Sequence, residues 1–389
     1  MARVNSNAGI PQPHFRVAII GAGQAGLATA QQLAHRGLAP GADFVALDAN
    51  DGPGGAWRHR WDSLTLGKAH GIADLPGMAA PDGDDATPAS QAVAQYYGTY
   101  EEMFHLAVHR PARVVRVEQP EATPHAVHRP FLLTLADAST LLADVVVSAT
   151  GTWDHPFIPF IPGVSSFQGK QLHTKDYVRA TDFGGQHVLV VGGGLSAVQF
   201  LLELEGPGGA ARTTWATRRP PDFVETQFDA GWGRDVEKRV RERVFTGHSP
   251  ASVVSTTGIP PWQKYVEARA RGVLVSRGMF KRVDETGVFF PASAHGSSPE
   301  LGELPAEHLA VDVIFWNTGF RHSLEHLAPL HLRSPRGGIA MLDEVTTKRN
   351  PRVLLAGYGS TASTIGATRA GRLAARAAVQ ALHTLDTSS

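Results

Sequence analysis

The sequence predicts an α/β fold built on two parallel sheets, and three observations carry that prediction. Short Val/Ile/Leu runs end in glycine or an acid, Ala-rich helical stretches lie between them, and one strand, glycine loop and helix pattern occurs twice. In chain order, Phe15–Ile20, Asp144–Ala149, His187–Val191, Asp312–Trp316 and Arg352–Ala356 read as buried parallel strands. A strand covered on both faces is apolar throughout rather than alternately. Residues 79–90, rich in Pro, Asp and Ala, read as a surface loop, and Pro124–Pro130 as a turn-rich hairpin region. Glu237–Arg243 reads as a solvated, mixed-charge helix face, and Ile365–His383 as a closing helix.

Composition narrows the function classes. A chain of 389 residues allows one very large domain or two ordinary ones. Lys and Arg (36) balance Asp and Glu (36), with no long basic block, so nothing marks a nucleic-acid or anionic-membrane partner. There is no cysteine, which excludes disulfides, thiolate metal sites and dithiol electron transfer. No stretch approaches the roughly 20 apolar residues of a membrane span, and Met1–His14 reads as a polar arm. The expectation is a soluble cytoplasmic protein, monomer or homodimer, without metal.

The first glycine loop is Gly21-Ala22-Gly23-Gln24-Ala25-Gly26, after the strand ending at Ile20 and before a helix running to His35. Gly21 makes the tight turn, Gly23 lets backbone approach a pyrophosphate, and Gly26 allows close helix–strand packing. The free N–H groups opening the helix, from Gln24 and Ala25 onward, then hold phosphate. Asp48 ends the next strand (Phe44–Leu47), placed to accept the hydroxyls of an adenosine ribose. The second loop follows His187–Val191: Gly192-Gly193-Gly194-Leu195-Ser196-Ala197, with Ala197 at the third small position. After its next strand (Thr213–Ala216) the acid is replaced by Arg218-Arg219. Guanidinium groups pair with a 2′-phosphate that a carboxylate would repel, which favours NADPH over NADH. Two nucleotide loops suggest two dinucleotides, with electrons passing from nicotinamide to a flavin.

Between the loops stands Phe167-Gln168-Gly169-Lys170-Gln171-Leu172-His173-Thr174-Lys175-Asp176-Tyr177. It resembles the fingerprint of the flavin-containing monooxygenases, relatives of the Baeyer–Villiger monooxygenases. The latter usually close this motif with Trp-Pro, whereas Tyr177-Val178 stand here, which leans toward oxygenation of a heteroatom. Other segments similar to the family occur in order. They are Gly54-Gly55-Ala56-Trp57, Arg60-Trp61-Asp62-Ser63-Leu64, Ser148-Ala149-Thr150-Gly151 and Trp316-Asn317-Thr318-Gly319-Phe320. The resemblance covers about residues 15 to 380. It implies an FAD domain split into 1–158 and 320–389, with an NADPH domain (159–319) inserted.

The resemblance also implies a C4a-hydroperoxyflavin mechanism, in which NADPH reduces FAD, dioxygen adds, and a small-molecule substrate takes one oxygen. It gives His173 a role in coupling NADPH binding to oxygenation, and Gly55, Trp57, Ala149, Thr150, Gly151, Asn317, Thr318 and Gly319, in the matching segments, are candidates for cofactor binding. Many members place an Asn after the Ser-Leu segment. Here Leu66-Gly67-Lys68-Ala69-His70 fills that place, so Lys68 or His70 is the candidate donor to a peroxide. The late turn Gly357-Tyr358-Gly359-Ser360-Thr361-Ala362-Ser363 should bring a helix start to the ribityl chain and pyrimidine edge. His322-Ser323-Leu324-Glu325-His326 spells an inverted zinc-protease motif but sits in a turn near Pro329, and Gly194-Leu195-Ser196 lacks the last glycine of a nucleophile elbow. Alternatives are an NADPH-dependent flavin reductase or dehydrogenase, Baeyer–Villiger oxidation of a ketone, and a non-catalytic FAD/NADP-binding protein.

Overall fold

The computed structural model describes residues 12–69, 72–84, 86–120, 129–224, 242, 244–250, 258–292 and 294–388. The first sheet starts from β1 (His14–Ile20), whose last four side chains are buried, and α1 (Gln24–His35) follows it directly. On one side of β1 lie β2 (Phe44–Leu47) and the two-residue β3 (Val108–His109), both added in parallel. The antiparallel pair β4 (Val114–Glu118) and β5 (Phe131–Leu135) then leads into β6 (Thr140–Ser148), which runs parallel to β1. The nine residues of β6 have two partners along one edge. Thr140–Ala143 pair with β5, and Val146–Ser148 pair with a strand described below from near the C-terminus.

The second sheet is wholly parallel. It holds β7 (Lys170–His173), β8 (His187–Val191) and β9 (Arg212–Ala216), with α3 (Leu195–Leu204) between the last two. Its central gap is filled by β13 (Val313–Trp316), which pairs with β7 and β8. On the way there the chain forms α4 (Gln263–Ala270) and an antiparallel three-stranded sheet of β10 (Arg282–Val283), β11 (Gly287–Phe290) and β12 (Glu307–Ala310). It then returns to the first sheet as β14 (Val353–Leu355) against β6, and closes with α5 (Thr364–Ser388).

Small residues explain how α5 reaches the first sheet. A Cβ on Gly371 would stand 2.5 Å from the Ala28 Cβ and 2.7 Å from the Ala25 carbonyl oxygen, so α1 and α5 cross nearly backbone to backbone. The five strands read from apolar runs all form, within a residue or a few of their expected ends. The antiparallel strands β4 and β12 carry no such continuous run, because each has a face toward solvent. The expected loop over 79–90 gives way at Ala89 to α2 (Ala89–Met103), with Tyr96, Tyr97 and Tyr100 buried. The Tyr96 and Tyr100 hydroxyls donate to the carbonyls of Met78 (2.7 Å) and Pro76 (2.8 Å), anchoring the segment before the helix. Most of Pro124–Pro130, and Glu237–Arg243 apart from Glu242, lie outside the described residues. Among the described residues no helix is long and apolar enough to cross a membrane.

Candidate active site

The first loop is a cradle that only glycine can build. Gly21 has φ +99°, and a Cβ there would lie 2.6 Å from the Ala149 carbonyl oxygen at the end of β6. On Gly26 a Cβ would fall 1.9 Å from the Gly21 carbonyl oxygen. Gly23, by contrast, meets only the Gly55 Cα at 3.9 Å, so its outer side is open. It caps α1 without any side-chain hydrogen bond, and the first turn holds no acid. Orphan N–H groups and the positive end of the helix dipole therefore remain for an anion. Gln24 is buried, and its side-chain amide donates to the Ala73 carbonyl (3.1 Å) and the Thr368 hydroxyl (2.9 Å). Its side chain thus ties α1 to α5, and only its backbone, like that of Ala25, is turned to the loop's purpose.

Around that cradle the other expected segments assemble. Gly54 and Gly55 have φ +117° and +53°, and a Cβ on Gly55 would stand 2.9 Å from the Gly23 Cα. The turn leading to Trp57 therefore passes directly over the phosphate loop. Asp48 is buried and its carboxylate is already oriented: Asn50 donates to Oδ1 and Arg110 Nε to Oδ2 at 3.1 Å. Arg110 also forks onto Glu101 at 2.6 and 2.7 Å. No motif in the sequence announces Arg110, because the chain brings it back only through β3.

The second loop repeats the geometry. Gly192 has φ +139°, and a Cβ on it would lie 2.1 Å from the Asn317 carbonyl oxygen beyond β13. Gly194 caps α3 with no side-chain bond and no acid in the first turn, where Ser196 and Ala197 stand. Arg218 and Arg219 are both exposed just past β9. Their turn is pinned from beneath by the buried Thr217 hydroxyl, bonded to Ser276 (2.7 Å) and the Gly296 carbonyl (3.0 Å).

His173 sits where the two sheets join. It is buried, its Nε2–H donates to the Gly319 carbonyl at 3.0 Å, and its ring meets Phe320 edge-on at 4.8 Å. Because that carbonyl can only accept, Nδ1 is left an acceptor. Burial pushes the His173 pKa below its ordinary value, so the ring is neutral at neutral pH. Asn317 accepts from the Thr174 hydroxyl at 2.9 Å, and the Thr318 hydroxyl donates to the Phe157 carbonyl. On the first sheet, Thr150 donates to the Ser323 carbonyl at 2.6 Å. Gly151 and Gly357, at φ +63° and +86°, flank a small pocket at the carboxyl ends of β6 and β14, together with His322 and Tyr358. The Tyr358 hydroxyl is taken by the Ile339 N–H (3.0 Å), and Ser363 caps α5 through the Gly366 N–H (3.1 Å).

Residues 18–252 match the model of the pyridine nucleotide-disulphide oxidoreductase family. The chain is 32% identical to a flavin-containing monooxygenase from Stenotrophomonas maltophilia of solved structure. That likeness covers 95% of this chain and 99% of the other, with a TM-score of 0.73. The chain belongs to the flavin monooxygenases of this family. The two descriptions name a pyridine nucleotide and a flavin, one for each of the two glycine loops. Curated relatives include an indole-3-pyruvate monooxygenase (YUCCA1) of Oryza sativa, 32% identical over 48% of this chain and 44% of that protein. A senecionine N-oxygenase of Tyria jacobaeae is 28% identical over 49% and 44%. The chain spans about half the length of the curated relatives it matches.

In this flavin monooxygenase the two expected peroxide donors fare differently. Lys68 is exposed and its ammonium reaches back to the Ser63 carbonyl at 3.4 Å, so it does not project into a buried site. His70 lies outside the described residues. The zinc-like motif is also dismantled: His326 begins a short 3₁₀ turn (Glu325–Leu330) and bonds the Ser148 hydroxyl at 3.1 Å, while His322 packs on Tyr358 at 4.7 Å. Burial pushes the His326 pKa down from 6.5 to about 4. The unfolded chain takes up a proton below its ordinary value that the folded chain refuses until near pH 4. Stability is therefore full above the unfolded value and falls as pH drops toward 4, by about 3 kcal/mol from this residue. Urea unfolding at pH 7 and pH 4.5 should show the loss, and His326→Gln should reduce it by about this residue's share while His322, likewise pushed by burial to about 4, keeps its own.

Proposed function

We propose that this protein is an NADPH-dependent flavin monooxygenase that inserts one oxygen atom into a small organic substrate at nitrogen or sulfur. The observation that carries this reading is the pair of uncapped helix starts behind glycine turns, in a chain without a single cysteine. Both cradles suit a dinucleotide pyrophosphate, yet the dithiol that disulfide reductases use is absent. Electrons reaching the flavin must leave to something else, and dioxygen is the acceptor that the relatives' names point to.

The flavin would lie along the first sheet, with its pyrophosphate at Gly21, Gly23 and Gly26 and its ribose on Asp48. Gly55 and Trp57 would cover it, and Ala149–Gly151 with Gly357 would face its far half. NADPH would lie along the second sheet at Gly192, Gly194, Ser196 and Ala197, with its 2′-phosphate on Arg218 and Arg219. Domain limits near 158 and 320 are part of this proposal, supported by β7, β8, β9 and β13 sharing one sheet while β14 rejoins the other. When bound, reduced flavin supplies the activation of dioxygen. The chain's own part is to hold the two carriers, exclude water and place the substrate. His173, neutral and tied to Gly319, would fix the junction across which the carriers meet.

The test is to supply purified enzyme with NADPH and either a tertiary amine or a thioether, and to measure oxygenated product against NADPH consumed. Product near one per NADPH with either compound supports the reading. An ester from a ketone instead would move the enzyme to Baeyer–Villiger chemistry. Hydrogen peroxide alone would favour a flavin reductase, a second reading supported by the exposure of Lys68.

A further inference from the structure

Arg60 is a largely buried cation for which the described residues supply no counter-charge. Its turn follows the 3₁₀ segment Gly55–His59 over the first glycine loop. The guanidinium carbon lies 4.1 Å from the centre of the Trp153 ring, 5.7 Å from Trp57 and 5.9 Å from Trp61. Among the described residues no carboxylate pairs with it, and its Nε is buried with no hydrogen-bond partner. Burial alone moves its pKa, down to about 10, so the group stays charged at neutral pH.

The surroundings place this cation at the meeting of the two sheets. Trp153 follows β6 of the first sheet and stacks on Phe320, just past β13 of the second, at 5.1 Å. Trp61 packs on Phe200 of α3 at 4.6 Å and edge-on to Tyr177 at 5.8 Å. Stacking on indole rings is favourable but does not replace the hydrogen bonds that a guanidinium loses when buried. A lone buried donor of this strength calls for an acceptor that arrives from outside. The phosphates of both carriers already have their cradles in the two helix starts and in Arg218 and Arg219.

We propose that Arg60 is the anion-recognition residue of the cleft, receiving a carboxylate or phosphate oxygen of a bound ligand between flanking tryptophans. The geometry favours a planar acid, because the indole faces that flank the guanidinium can also flank a flat substrate whose carboxylate it pairs. This rests on the proposed cleft between the carriers but not on oxygen transfer.

The experiment therefore measures binding without turnover. Holoenzyme, Arg60→Gln and Arg60→Lys are titrated with benzoate, benzamide, inorganic phosphate and NADP⁺, followed by tryptophan fluorescence, with flavin content checked for each variant. The expected result is benzoate binding that weakens about tenfold or more in Arg60→Gln, is partly kept in Arg60→Lys, and leaves benzamide unchanged. A selective loss for phosphate and NADP⁺ instead would support anion recognition but identify a phosphate as the source. Equal losses for benzoate and benzamide, no change for any titrant, or wild-type protein that does not prefer anions would overturn the proposal. Should Arg60→Gln fail to fold, Arg60→Lys with the same pairs decides it. An enzyme that binds benzoate through Arg60 yet oxygenates nothing would overturn the proposed function and leave this inference standing.

Discussion

Gly26→Ala should yield a destabilised protein without flavin, whereas Gly23→Ala should yield a stable protein without flavin. The added Cβ at position 26 falls 1.9 Å from the Gly21 carbonyl oxygen and 2.9 Å from its carbon, both backbone atoms that no rotamer can move. Helix and loop must part by more than 1 Å, and overpacking of that kind costs roughly 3 kcal/mol. At position 23 the nearest atom to a new Cβ is 3.9 Å away, and φ is −79°, which alanine accepts. The folded apoprotein should lose less than about 0.5 kcal/mol, but the methyl group occupies the approach that a pyrophosphate needs. Thermal melts of the two apoproteins, with bound flavin read from absorbance, separate the effects. A Gly23→Ala protein that keeps its flavin would move the pyrophosphate away from this loop. Ala197, the second loop's counterpart of Gly26, carries its methyl group wholly buried, so the clash at position 26 is particular to the first loop.

The second large effect concerns the choice of reductant. Replacing Arg218 and Arg219 together by Ser should raise the NADPH concentration needed for half-maximal flavin reduction by about tenfold to a hundredfold. A charge-assisted hydrogen bond to phosphate is worth about 1.5–3 kcal/mol, and because both side chains are exposed and screened the pair together is expected to contribute only about as much as one such bond. NADH, which lacks the 2′-phosphate, should be affected less than threefold, or about 0.6 kcal/mol. Rising salt should weaken NADPH in the wild type and much less in the variant. Equal losses for both nucleotides would mean that the turn after β9 serves the ribose or the fold rather than the phosphate.

How much could be read from the chain follows from which forces leave local traces. The glycine loops were legible because backbone approach restricts the residue type at fixed spacing, as the contacts of Gly21, Gly26 and Gly192 make plain. The buried parallel strands were legible from unbroken apolar runs. The antiparallel strands β4 and β12 and the helix α2 were not, since half-exposed faces dilute the pattern, and the tyrosines of α2 look like ordinary surface aromatics until their hydroxyl partners are seen. Site residues divide the same way. Asp48 announces itself by position, but its partner Arg110 comes from 62 residues away. In the sequence Arg60 stands only as part of a family-like segment. Its isolation among Trp57, Trp61 and Trp153 is a property of tertiary packing that no spacing encodes. Four candidate side chains are engaged elsewhere: Lys68 lies in solvent, and those of Gln24, Tyr358 and Ser363 hold the fold.

The most direct test of the central claim is a stopped-flow experiment on the flavin-loaded protein, reduced with NADPH without oxygen and then mixed with dioxygen. The account predicts rapid bleaching by NADPH, then a lasting absorbance band distinct from both reduced and oxidised flavin, which decays faster when an oxidisable amine or thioether is present. Immediate recovery of the oxidised spectrum with release of hydrogen peroxide, unchanged by any such substrate, would contradict it.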